Sequence, residues 1–105
     1  MAKNKVEWSV EARLDLFDIL SFYLLRNGNA KYSRNLNSKI NKSIKHIENN
    51  PFIGLKTNQE SVYLFITGDY QIIYELIDSV ILIVMIWDSR RNPDDKSIST
   101  QKNIV

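Results

Sequence analysis

The chain has 105 residues, 44% of them hydrophobic and 25% charged, with a formal net charge of +2 and no cysteine. That length provides one domain with one core, burying about two thirds of the unfolded chain's surface, and the proportions exclude disorder and low complexity. The missing cysteines exclude disulfides, thiol nucleophiles and thiolate metal sites, and with a single histidine, His46, no metal or other cofactor is expected.

The longest apolar run is the eight residues Val80 to Trp87, far short of the roughly 20 a membrane helix needs. The polar start MAKNK also lacks the apolar core of a secretion signal. The expectation is a soluble, cytoplasmic protein with no membrane partner. Its charge is uneven: between Ala30 and Asn50 stand Lys31, Arg34, Lys39, Lys42 and Lys45 against Glu48 alone.

In chain order, KVEWS (Lys5 to Ser9) alternates Val6 and Trp8 with Lys5 and Glu7, the period of a half-buried strand. Ser9 is suited to cap a helix, with Glu11 in the first turn favoured by the helix dipole. That helix is predicted to run to about Arg26, with Val10, Leu14, Phe17, Leu20 and Leu24 as its buried stripe. Leu16, Ile19 and Tyr23 widen it, and Arg13, Asp15 and Asp18 lie nearer solvent. RNGN (Arg26 to Asn29) is a stop: Gly28 tolerates a left-handed C-cap, and Asn29 can cap a second helix. This second helix carries Tyr32, Leu36, Ile40, Ile44 and Ile47 along one line, its lysines on the other flanks, and ends at ENNP, where Asn50 precedes Pro51.

Pro51 to Ser61 reads as a polar loop. Val62 to Thr67 (VYLFIT), Tyr70 to Ile77 (YQIIYELI) and Val80 to Trp87 (VILIVMIW) are rich in β-formers, and the two-residue links Gly68-Asp69 and Asp78-Ser79 imply antiparallel hairpins. The last run is apolar on both faces, as in a strand covered on each side. The prediction is an α+β domain in the order β-α-α-β-β-β, a helical hairpin packed on a mainly antiparallel sheet. It spans 1–93, and 94–105 is a polar, flexible tail.

Four segments in this order resemble the RelE/ParE superfamily of toxins from bacterial type II toxin-antitoxin systems: VEWSVEARLDL (Val6 to Leu16), NNPFIG (Asn49 to Gly54), GDYQIIYELID (Gly68 to Asp78) and IWDSRRNP (Ile86 to Pro93). The resemblance implies this fold, a growth-inhibiting activity and a cognate antitoxin protein as partner. It implies one of two targets: the ribosome with its mRNA, which RelE-like members cut, or DNA gyrase, which ParE-like members poison without cutting RNA. A degenerate member would keep only antitoxin binding and operon regulation. A homodimer and a toxin-antitoxin hetero-oligomer are both open.

Cleaving relatives commonly carry an arginine after the glycine-to-tyrosine turn, where this chain has the neutral Gln71, and basic residues on the preceding strand, where VYLFIT has none. Only Arg90 or Arg91 matches their late arginine. The ParE-like reading is therefore favoured over a ribosome-dependent endoribonuclease.

Cleavage through the RNA 2′-hydroxyl needs a base, an acid and cationic donors for the phosphate. Arg90 and Arg91 are the candidate donors, Asp88 the candidate base and Tyr74 the candidate tyrosine, catalytic only if the protein is a nuclease. A surface salt bridge between Asp88 and an arginine is an equal alternative. Alternation would place Asp88 and Arg90 on one side, provided the strand continues past Trp87. Tyr70 and Tyr74, four apart on one strand, suit base stacking but suit a core better. Lys42, Lys45, Tyr70, Gln71 and Trp87 are candidate binding residues. Set against these roles, basic helix faces are usually solvated, and a tryptophan is commonly a core or interface anchor. His46 falls beside the basic flank, away from the strand end.

Overall fold

A computed structural model describes residues 4–90. Strand β1 (Lys5–Trp8) leads into helices α1 (Val10–Asn27) and α2 (Lys31–Asn49), followed by β2 (Leu55–Lys56), β3 (Val62–Thr67), β4 (Tyr70–Ile77) and β5 (Val80–Asp88). The five strands form one sheet in the order β1-β5-β4-β3-β2. β3, β4 and β5 are the predicted antiparallel meander. β1 returns through the helical hairpin to lie parallel to β5, with Val6 opposite Ile81 and Trp8 opposite Ile83. The expected α+β architecture is therefore present as a mixed sheet with one parallel edge. The 94–105 tail lies outside the described residues.

Within the predicted loop 51–61, Leu55 and Lys56 pair antiparallel with Leu64 and Tyr63 as strand β2. Two exposed residues show no alternation for a sequence pattern to register, so this edge strand was invisible.

The second helix buries the face expected of it: Leu36, Ile40, Ile44 and Ile47 are in the core. Tyr32, at its start, is largely exposed and leans on Tyr23 with ring centroids 4.6 Å apart. Ser33 Oγ donates to the Leu20 carbonyl at 2.8 Å and ties the two helices together. Between them Gly28 takes the left-handed conformation (φ 71°), its N–H donating to the Leu24 carbonyl. Asn29 Oδ1 accepts from the Lys31 N–H at 3.0 Å.

α1 is turned differently from the prediction. Ala12, Ile19 and Tyr23 face the core, Leu16 and Leu20 lie at its margin, and Val10, Leu14, Phe17 and Leu24 are exposed. This helix is apolar on more than one side, so the 3.6-residue period identifies a helix without choosing its inner face. The small Ala12 is fully buried. Asp15, expected nearer solvent, is half-buried and accepts from the Ile86 N–H at 3.2 Å.

That bond belongs to an irregularity in β5. Ile73 pairs with Met85 and the next residue, Tyr74, with Ile83, so Val84 is an extra, bulged residue. Ile81 and Ile83 join the core under the helices, and past the bulge Ile86 takes that side. Met85 and Trp87 turn to the opposite face, where they pack with Val62 and Ile73. Without the bulge, strict alternation would put Met85 and Trp87 under the helices instead.

Ser9 holds this arrangement in place. Its hydroxyl accepts from the Ala12 N–H at 2.9 Å, capping α1 as expected, and donates to the Val84 carbonyl at 2.9 Å; its own N–H donates to the Ile83 carbonyl. One residue thus serves both the helix start and the strand edge left open where β1 ends. Ser9→Ala is expected to lower the unfolding free energy by about 1–2 kcal/mol, read as a shifted urea midpoint. An unchanged midpoint would show that neither bond matters.

Candidate functional site at the end of the last strand

β5 ends at Asp88, and Ser89 and Arg90 turn back over it. The Ser89 N–H donates to the Asp69 carbonyl at 2.7 Å, anchoring the turn to the β3–β4 hairpin. Asp88 Oδ1 accepts from the Arg90 backbone N–H at 2.9 Å and from its Nε at 3.0 Å, and Oδ2 accepts from Nη2 at 3.0 Å. Asp88 and Arg90 do share a side, but the turn brings them together, because the extended conformation stops at Asp88.

Nη2 also donates to the Tyr70 hydroxyl at 3.0 Å and to the Tyr23 hydroxyl. The guanidinium carbon lies 5.7 Å from both ring centroids, within cation–π range. Asp69 adds a looser contact to Nη1 at 3.9 Å. The cluster therefore joins α1 through Tyr23, β4 through Tyr70 and the end of β5 through Asp88. Sequence reasoning placed Tyr23 only in the core, because no local pattern links a residue of the first helix to a turn 67 residues later.

Nε and Nη2 of Arg90 are engaged within the cluster, while its side chain stays half-exposed. The hydrogen bonds to Asp88, above all, hold the Arg90 guanidinium well above its ordinary range, so it keeps its charge. Burial, reinforced by the neighbouring Tyr23 hydroxyl, pushes the Tyr70 phenol well above 10. A phenol shifted upward gives up its proton less readily, which makes it a poorer general acid. Both oxygens of Asp88 accept from Arg90.

Tyr74 serves a different place. It is fully buried, donates to the Pro51 carbonyl at 2.8 Å and accepts from the Gly54 N–H at 3.0 Å, with its ring stacked on Tyr63. Burial raises this phenol, while the Gly54 N–H acts in the opposite direction. The hydroxyl pins the loop after α2 to the sheet. It also explains the glycine of NNPFIG: a Cβ at Gly54 would lie 2.7 Å from that hydroxyl and 3.0 Å from the Leu64 carbonyl. Tyr74→Phe should cost about 1–2 kcal/mol of stability by leaving the Pro51 and Gly54 groups without this partner. Thermal denaturation measures the loss, and growth inhibition at a permissive temperature should persist; its disappearance would return Tyr74 to the chemistry.

The remaining candidates lie on other surfaces. Gln71 and Trp87 are register partners on the face opposite the helices, where Gln71 Nε2 donates to Ser89 Oγ at 3.4 Å and Trp87 is buried beside Met85. Lys42 and Lys45 are exposed on α2 and line, with Val6, Arg34 and Asn41, a shallow groove that shares no residue with the Arg90 cluster. His46 is exposed on the same helix. Arg91 lies outside the described residues. Among the described residues, no three histidine, aspartate or glutamate side chains stand together as metal ligands would, and no helix is long and apolar enough to cross a membrane.

Solved structures share this architecture. A chain of the chromosomal ParDE toxin-antitoxin system of P. aeruginosa matches with a TM-score of 0.67 and 17% identity, over 82% of this chain and 96% of that one. A chain of the RelBE2 toxin-antitoxin complex of Mycobacterium tuberculosis matches with a TM-score of 0.61 and 16% identity, over 83% and 99%. At such identities the likeness shows the fold alone. No curated protein matches the chain significantly. The profile of the ParE toxin of type II toxin-antitoxin systems, parDE, matches residues 6–93, and the chain belongs to that family.

Proposed function

We propose that this ParE-family toxin arrests growth by binding DNA gyrase, without cutting RNA, until a cognate antitoxin neutralises it. The observation that carries this reading is the engagement of Arg90 Nε and Nη2 within the protein itself. Both are turned onto Asp88, Tyr70 and Tyr23, and none of these is a phosphate site. A nuclease built on this strand end would need those donors for the phosphate and a carboxylate free to take a proton. The neutral Gln71 and the uncharged strand β3 support the same reading. The solved relatives from P. aeruginosa and M. tuberculosis belong to toxin-antitoxin systems, which supports an antitoxin as the partner here.

The competing reading is a ribosome-dependent endoribonuclease using Arg90, Arg91, Asp88 and Tyr74. Inducing the protein without antitoxin, while following translated messages and plasmid supercoiling, separates the two. Arrested growth with intact messages and altered plasmid topology is expected. Rapid message cleavage, abolished by Arg90→Ala together with Arg91→Ala, would overturn the proposal, and absence of any growth effect would leave a regulator that only binds antitoxin.

A further inference from the structure

Helix α2 carries more positive charge than its own fold calls for. Lys31, Arg34, Lys39, Lys42 and Lys45 stand against Glu48 alone along it, while the whole chain is only +2, so the rest of the protein is net acidic. All five cations are exposed, and among the described residues none of them has a carboxylate within ion-pair distance. Lys31 occupies the first turn, where the helix dipole favours an acid and α2 has none. Lys31 with Arg34, and Lys42 with Lys45, stand three residues apart on one face, where like charges repel. This placement costs helix stability instead of adding to it, so the charge answers to something outside the chain.

The cations also form a line. On a helix of 3.6 residues per turn, Lys31, Arg34, Lys42 and Lys45 fall within an arc of about 80° and extend over about 21 Å. Ser38 and Asn41, both exposed, stand between the two pairs. Arg34, Lys42 and Lys45 line the shallow groove whose other wall is Val6 of β1, at the open edge of the sheet. Lysine, arginine, serine and asparagine are the side chains that hold the phosphates and sugars of a duplex. Among the described residues no aromatic side chain lines the groove, so nothing there stacks an unpaired base as recognition of a single strand requires. The helix keeps its apolar line, Leu36, Ile40, Ile44 and Ile47, in the core, and so has no apolar face to sink into a lipid surface.

We infer that the outer face of α2 is a sequence-independent contact for the phosphate backbone of duplex DNA, made by Lys31, Arg34, Lys42 and Lys45. The choice of DNA over duplex RNA rests on the gyrase reading, because the DNA that gyrase holds is the duplex such a toxin meets. The net acidic remainder of the protein orients this face, and not the others, toward a polyanion. The contact is separate from the Arg90 cluster, whose donors are already engaged.

The test uses the full chain and a fluorescent DNA duplex of arbitrary sequence, titrated by anisotropy at about 50 to 200 mM salt. Log affinity plotted against log salt should fall with a slope of about −3 to −4, at roughly 0.9 for each of the phosphates neutralised by the stripe. Lys42→Ala with Lys45→Ala should weaken binding at the lowest salt by about tenfold or more and make the slope shallower by about two. Its melting temperature should stay the same or rise slightly, since a repelling pair is removed. Lys42→Arg with Lys45→Arg, which keeps the charge, should retain both affinity and slope. No binding by the unaltered chain, a slope near zero, or an alanine variant within about twofold of the original would overturn the inference. So would binding about tenfold tighter to a single strand or to duplex RNA than to the DNA duplex. If the unaltered chain bound the duplex with the expected slope yet left gyrase supercoiling untouched, the gyrase reading would fall and the assignment of this face would stand.

Discussion

Ile83→Ala is expected to remove about 3 kcal/mol of stability and lower the melting temperature by roughly 15 °C. Ile83 is fully buried, pairs with Trp8 on one side and Tyr74 on the other, and immediately precedes the bulged Val84. Truncation would leave a cavity lined from several elements, and the Ser9 N–H bond to the Ile83 carbonyl limits how far the backbone can close it. Total stability of a small domain is about 5–15 kcal/mol, so a large share would be lost. Thermal unfolding followed by circular dichroism checks it. A shift of only a few degrees would mean that the sheet relaxes around the site and that the bulge is not rigidly held.

Arg90→Ala should cost about 2 kcal/mol, because the largely buried Asp88 carboxylate and the Tyr23 and Tyr70 hydroxyls would all lose donors at once. The half-exposed position of the arginine keeps the loss below that of a fully buried pair. Arg90→Lys retains the charge without the planar fork that serves three acceptors, and should recover less than half of the difference. Urea denaturation of both variants measures this. If both were as stable as the unaltered chain while one abolished growth inhibition, Arg90 would have a role beyond tying α1 to the strand end.

Much of this architecture was legible before the structure. Ser9 followed by Glu11, the left-handed Gly28, the Asn50-Pro51 stop and the two-residue links at Gly68-Asp69 and Asp78-Ser79 are local signals, and each marks an element boundary found in the fold. The narrow line Leu36, Ile40, Ile44 and Ile47 indicated the buried face of α2, because that helix is apolar on one side only.

The features that escaped reading depend on tertiary contact. For α1, Val10, Leu14, Phe17, Leu20 and Leu24 are the expected buried stripe, whereas the core takes Ala12, Ile19 and Tyr23, keeps Leu20 at its margin and leaves the others exposed. The periodicity identifies a helix, but a helix apolar on more than one side does not reveal from it which side packs inward. The bulge at Val84 left no mark within an unbroken apolar run, yet it decides that Met85 and Trp87 lie on the face opposite the helices. The charged stretch after Trp87 suggested a candidate site, and the structure adds Tyr23 and Tyr70 as the partners that close around Arg90. Lys42 and Lys45, candidate binding residues on the second helix, line a groove that shares no residue with the Arg90 cluster.

The proposed mode of action meets its most direct test with purified components. DNA gyrase, relaxed plasmid and ATP are mixed with the toxin, with and without its antitoxin, and a parallel reaction contains translating ribosomes and message. A gyrase-directed toxin should inhibit supercoiling or make gyrase-cleaved DNA accumulate, antitoxin should restore activity, and the message should stay whole. Full supercoiling by gyrase at saturating toxin, together with message cut only on translating ribosomes, would contradict this mode of action.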